Sequence, residues 1–141
     1  MKTLDNINVN TDILILNDNN IISTADNLIQ QWDLRTDKIV RSANPVQNII
    51  EKIICDKEKS RLFVVAAEKF VKVLDLENFK NLFSIKFEKE ISAFAINKEM
   101  DRYGVGFIDG EIAIKGRSYV EDEEGEDLTK EQEDKDIELL E

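Results

Sequence analysis

The chain has 141 residues, of which 42% are hydrophobic and 35% are charged, with one proline and five glycines. This length suits one domain with a buried core, and this composition excludes fibrous and wholly disordered proteins. The chain has no run of about 18 apolar residues, and its first ten residues lack the apolar segment of a signal peptide. We therefore expect an intracellular protein without a membrane partner.

The net charge of −11 is concentrated at the C-terminal end of the sequence. Residues 121–141 contain 12 acidic and 2 basic side chains, a net charge of −10, whereas residues 1–120 contain 18 and 17, a net charge of −1. A block of like charges repels itself and buries too little apolar surface to offset the entropy lost on ordering. The sequence thus predicts a folded region over residues 1–120 and an acidic, partly disordered tail over residues 121–141.

The end of this tail has the pattern of a short helix. Thr129 and Gln132 have the spacing of a capping box, and Glu131 and Lys135 are four residues apart. The apolar residues that we expect to contact a partner are Ile137, Leu139 and Leu140. We predict a helix that folds mainly on a partner. The alternative is that the tail only keeps the protein soluble.

Before the tail, the apolar residues come in short alternating segments, which predict strands rather than helices. In chain order these segments are DILIL, NIISTA, LIQQW, KIVRS, KIIC, RLFVVA, FVKVLDL, LFSIKF, ISAFAI, YGVGF and EIAIK. Turn-forming clusters such as NDNN, DKEKS and the Asp109–Gly110 pair separate them. The sequence therefore predicts an all-β fold.

A repeat of about 40 residues runs through this region. Three turn acids, spaced by 42 and 41 residues, align it, and the sixth residue after each acid lies on the next predicted strand. The aligned pairs are Asp26 with Trp32, Glu68 with Leu74, and Asp109 with Lys115. Upstream of each pair, a strand ends in a polar turn residue, at Asn17, Asp56 and Asn97.

A period of 40 to 45 residues with four strands per unit is the pattern of a WD40 β-propeller blade, and the sequence resembles that family. Trp32 and Asp33 would end the third strand of one blade, with Leu74 and Asp75 as their counterpart. The resemblance implies about three four-stranded antiparallel blades, that is, part of a propeller. In this family the turn acid commonly joins a hydrogen-bonded set with a histidine, a serine or threonine and the tryptophan.

The chain departs from the family pattern because it has no histidine. We expect Ser23 or Thr24, with Asp26 and Trp32, to retain most of the set, and the other blades to rely on apolar packing. Three blades are also too few, since propellers close with 4 to 8 and exposed strand edges invite association. Two alternatives follow: the chain is a piece or remnant of a longer propeller, or it completes a ring with another chain.

The run from Arg61 to Arg117 resembles the last blades of the WD-repeat subunits of the UtpA subcomplex of the small-subunit processome. The resemblance is carried by VKVLD, by a strand leading to Phe87, and by the motif GFIDGEIAIKGR that begins at Gly106. It implies a nucleolar or nuclear scaffold in small ribosomal subunit assembly and pre-rRNA processing; without it we expect a cytoplasmic protein. The chain departs from this family in one respect. Members of the family carry a helical domain after a complete propeller, whereas this chain has an acidic tail after three predicted blades.

Catalysis is not expected, because the chain has no histidine, no metal-ligand cluster and no phosphate-binding glycine loop. The stretch GVGFIDG superficially resembles a dinucleotide fingerprint, but a predicted strand follows it where a helix should begin. A strand and an Asp-Gly turn explain it better. We predict a non-enzymatic protein with no cofactor, no bound metal and no small-molecule substrate.

The expected partners are the other proteins of a multi-subunit complex. RNA contact through one rim of the blades is a second expectation, with a purely solvent-exposed role as the alternative, because lysines in this region are interleaved with acids. The residues to examine are Lys57, Lys59, Arg61, Lys115 and Arg117. Two other functions stay open: a WD40 adaptor of another intracellular complex, and a structural protein whose open blades pair between copies.

Overall fold

The structure, a computed structural model, describes residues 3–5 and 9–116. Eleven strands lie in this part of the chain. It contains no helix, and therefore no helix that is long and apolar enough to cross a membrane. They are β1 (Asn10–Asn17), β2 (Asn20–Ala25), β3 (Leu28–Asp33), β4 (Lys38–Ala43), β5 (Ile50–Asp56), β6 (Arg61–Ala66), β7 (Phe70–Asp75), β8 (Asn81–Lys86), β9 (Ile91–Ile96), β10 (Tyr103–Phe107) and β11 (Ile112–Lys115). Each predicted strand segment is confirmed.

The strands form three antiparallel sheets in chain order, here called blades 1, 2 and 3. Blade 1 contains β1 to β4 and blade 2 contains β5 to β8, as the four-strand repeat predicts. Blade 3 has three strands within the described residues, β9 to β11, rather than four. Residues after 116, where the next strand of the repeat would fall, lie outside the described part of the chain.

Blade 2 lies between the other two blades and is buried on both faces. In β6 every residue is buried, because alternate side chains point toward opposite neighbours. Leu62 and Val64 pack in a core shared with Ile22 of blade 1, whereas Phe63 and Val65 pack in a core shared with blade 3. We call the face of a blade that lies toward the next blade its forward face, and the opposite one its rear face.

The strand register shows that the aligned residues occupy equivalent places. The residue pairs across the second and third strands of the three blades are Ile21 with Trp32, Leu62 with Leu74, and Tyr103 with Lys115. Trp32, Leu74 and Lys115 therefore all point to rear faces. Ile21 and Leu62 are 41 residues apart whereas Trp32 and Leu74 are 42 apart, because the connecting turn has two residues in blade 1 and three in blade 2.

Candidate interaction surfaces

A buried hydrogen bond fixes the single tryptophan. Trp32 Nε1 donates to Ser23 Oγ at 2.9 Å, and both residues lie on the rear face of blade 1. Thr24 points to the opposite face, where its hydroxyl oxygen lies 2.7 Å from that of Thr11. Because neighbouring strand residues face opposite sides of a sheet, only Ser23 can reach the indole.

Two of the three turn acids, Asp26 and Glu68, link neighbouring blades through their main chain. Asp26 is exposed, and among the described residues no hydrogen bond joins its carboxylate to Ser23 or Trp32. Its carbonyl instead accepts a 2.7 Å hydrogen bond from the amide of Ile50, the first residue of blade 2. The carbonyl of Glu68 likewise accepts from the amide of Ile91, the first residue of blade 3, at 2.9 Å. These turns therefore tie each blade to the start of the next.

The carboxylate of Glu68 adds a second tie. It accepts hydrogen bonds from the side chain of Asn48 at 2.9 Å and from the amide of Gln47 at 3.3 Å. Both donors lie in the linker that joins blade 1 to blade 2. Glu68 thus holds this linker against the turn of blade 2.

Three acids stabilise the turns beside them: Asp33 and Asp75, which are aligned in the repeat, and Asp109, the turn acid of blade 3. Asp33, Asp75 and Asp109 accept hydrogen bonds of 2.9 to 3.0 Å from the amides of Arg35, Glu77 and Glu111, respectively. An acid that binds the amide two residues later forms a side-chain-closed turn. Beside Asp109, Gly110 has a φ of 95°, a conformation that glycine adopts without steric cost. These residues shape turns and do not converge on a pocket.

Charge pairing affects two of these acids. The amide of Arg35 and its guanidinium lower the pKa of Asp33. The amide of Glu111 and the ammonium of Lys89 lower the pKa of Asp109, and Lys89 Nζ lies 3.1 Å from the Asp109 carboxylate. Hydrogen bonding to Glu111 is the main cause that raises the pKa of Lys89. This cluster joins the start of blade 3 to its β10–β11 turn.

The basic residues separate into exposed and buried ones. Lys57 and Lys59 are exposed in the β5–β6 turn, so they remain candidate contacts for RNA or a partner. Arg61 is only 4% exposed, and its guanidinium lies 5.6 Å from the centroid of the Phe83 ring. Lys115 is 6% exposed because it occupies the tryptophan position on the rear face of blade 3. Burial in the sheets argues against the predicted contacts by Arg61 and Lys115.

Several sequence predictions fall outside the described residues. These are Arg117, the domain boundary at residue 120, the acidic tail, and the helix with Ile137, Leu139 and Leu140.

The part of the chain that the structure describes contains no group of three or more His, Cys, Asp or Glu side chains placed to hold a metal ion. Cys55 is half-buried on the rear face of blade 2, and this burial raises the pKa of its thiol, which disfavours the reactive thiolate. The residues described so far support packing and turn formation.

Exposed isoleucines mark the two end faces of the blade assembly. Ile13 and Ile15 are 57% and 73% exposed on the rear face of blade 1, and Ile112 and Ile114 are 70% and 52% exposed on the forward face of blade 3. Apolar surface of this kind is typical of protein contact sites. Sequence analysis missed these residues as a site, although their alternation within β1 and β11 is the signal that places them together.

Solved structures include similar folds. The chain is similar to the WD40 β-propeller domain of Doa1, with a TM-score of 0.66 and 18% identity, over 77% of this chain and 37% of that one. It is also similar to the computationally designed Ika4 protein, with a TM-score of 0.63 and 21% identity, over 82% of this chain and 71% of that one. No family model and no curated protein matches the sequence. These likenesses show a WD40-like propeller fold, of which the chain spans little more than a third of the Doa1 domain's length.

Proposed function

We propose that this chain is a non-enzymatic scaffold that binds other proteins within a multi-subunit complex. The observation that carries the proposal is the pair of exposed apolar end faces on an ordered set of blades, with Ile15 on one and Ile112 on the other. Such surfaces favour association with proteins, and among the described residues no group of His, Cys, Asp or Glu side chains is placed to hold a metal ion.

The cellular context that we propose is small ribosomal subunit assembly and pre-rRNA processing in the nucleolus. The support for this context is that the run from Arg61 to Arg117 resembles the last blades of the WD-repeat subunits of UtpA. RNA contact would use exposed lysines, of which Lys57 and Lys59 are the accessible pair. An adaptor of another intracellular complex is the competing assignment.

Affinity purification of the tagged chain at its native level, with the bound proteins and RNA identified, tests this proposal. Precursor ribosomal RNA and processome subunits are the expected material. A reproducible set of other proteins would discard the ribosomal context and keep the scaffold function. Recovery of the chain with no partner protein under gentle conditions would contradict both.

Two variants test where RNA and partner proteins bind. Replacing Lys57 and Lys59 with glutamate should reduce recovery of RNA and leave protein partners in place. Deleting residues 129–141 should reduce recovery of proteins if the tail binds a partner. Unchanged recovery after this deletion would show that the tail does not contribute to binding.

A further inference from the structure

The two end faces of the blade assembly differ in shape. The rear end face, on blade 1, presents Ile13, Ile15 and Ile39 to solvent around Trp32, whose indole is itself buried. The forward end face, on blade 3, is formed by Ala93, Ala95, Gly104, Gly106, Ile112 and Ile114. One face is therefore bulky and the other is shallow.

These faces continue a pairing that the chain makes twice. The forward face of blade 1 packs on the rear face of blade 2, and the forward face of blade 2 packs on the rear face of blade 3. The first-strand residues Asp12 and Lys52 cross these two interfaces. Asp12 accepts from the amide of Ile53 at 2.9 Å, and Lys52 donates to the carbonyl of Phe94 at 3.1 Å.

Blade 3 has alanine where the other blades have these polar bridges. Ala93 of β9 is paired with Gly106 of β10. The equivalent first-strand residues are Asp12 in blade 1, paired with Thr24, and Lys52 in blade 2, paired with Val65. None of the strand residues that form the forward end face carries a charge. Apart from the hydroxyl of Ser92 beside Gly106, this face is apolar, and water is a poor environment for it.

Glycine on the forward end face is not required by the packing within the chain. Where blades 1 and 2 have Ile22 and Phe63, blade 3 has Gly104. A Cβ added at Gly104 or Gly106 would meet its nearest atoms at 4.0 or 3.6 Å, which are ordinary contacts. Glycine inside a strand often marks a place where another chain segment approaches closely.

We infer that the chain binds a second copy of itself head to tail, with the forward end face of each copy against the rear end face of the other. The isoleucines of the rear end face would fill the hollow above Gly104 and Gly106. This is the same rear-on-forward pairing that joins the blades within the chain. With the three blades that the structure describes in each copy, two such contacts close a ring of six, within the 4 to 8 that propellers contain. This contact uses the end faces on which the proposed scaffold function rests, with a second copy of the chain as the bound protein, and it does not depend on the proposed cellular context.

Sedimentation and light scattering of the full chain test this inference. At about 0.15 M salt, which limits repulsion between the acidic tails, we expect a species of twice the 16.3 kDa chain mass. Gly106→Arg on the forward end face and Ile15→Asp on the rear end face should each raise the dissociation constant about 100-fold or more, because each places a charge in an apolar contact. Ile49→Asp is the control, since Ile49 is 56% exposed in the linker.

Mixing the two variants gives a sharper test. One contact in the mixed pair joins two unaltered faces, so the variants should form a one-to-one complex more tightly than either forms with itself. Circular dichroism checks that each variant is folded. If Gly106→Arg does not fold, Ile114→Asp replaces it as the variant of the forward end face. A monomer at about 100 μM, well above the Kd of a specific interface, would overturn the inference. So would a dimer that survives both face variants, or an open polymer.

Discussion

The indole nitrogen of Trp32 lies 2.9 Å from the hydroxyl of Ser23, and this hydrogen bond is buried between β2 and β3. Ser23→Ala would leave the indole N–H without its acceptor, at a cost of about 1 to 3 kcal/mol in the free energy of unfolding. In a Trp32→Phe background the same substitution should cost much less, because no N–H is left unpaired. Urea unfolding of the four proteins measures this difference. Equal costs in both backgrounds would show that the hydrogen bond contributes nothing.

Asp12 contributes a hydrogen bond to the contact between blades 1 and 2. Its carboxylate accepts a 2.9 Å hydrogen bond from the amide of Ile53 across the interface. Asp12→Ala should lower the free energy of unfolding by about 1.5 to 3 kcal/mol, the range for hydrogen bonds to charged groups. Hydrogen exchange should show faster opening of the Ile53 amide. Asp18→Ala, in the exposed β1–β2 turn, is the control and should have little effect.

The Lys89 cluster predicts a pH dependence of stability. Hydrogen bonding to Glu111 raises the pKa of Lys89 above its usual 10.5, so this contribution is present below that value and is lost at more alkaline pH. The pKa of Asp109 is lowered from 3.8, so its contribution is present above 3.8 and is lost as the pH falls below it. The stability difference between wild type and Lys89→Met should therefore be largest between about pH 4 and pH 10. A difference that does not change with pH would contradict this account.

The burial of Arg61 predicts that this side chain stabilises the fold and does not contact RNA. Its guanidinium packs over the Phe83 ring within a fully buried strand. Arg61→Ala should destabilise the protein by about 2 kcal/mol or more, through lost packing and cation–π contact. Lys59→Ala, at an exposed position, should change stability by less than about 0.5 kcal/mol. Thermal unfolding of both variants tests this structural role. An Arg61→Ala variant as stable as the wild type would contradict it.

The strands and turns follow from local patterns in the sequence. Alternating apolar residues are a local pattern, and it located β6 over Arg61–Ala66 and β10 over Tyr103–Phe107 with their observed bounds. Side-chain-closed turns at Asp33 and Asp75 also depend only on neighbouring residues. Such features depend on residues close together in the sequence, so the sequence alone shows the repeat.

Which face of each sheet is covered depends on contacts between residues far apart in the sequence. Alternation assigns Arg61 and Lys115 to a face, but burial of that face depends on the neighbouring blade, and here both side chains are buried. The same holds for Asp26, whose carbonyl rather than its carboxylate makes the link to Ile50, because the register of two separate sheets sets that contact. A strand pattern therefore defines two faces, and the stacking of sheets decides which of them packs inside and which remains open at Ile15 and Ile112.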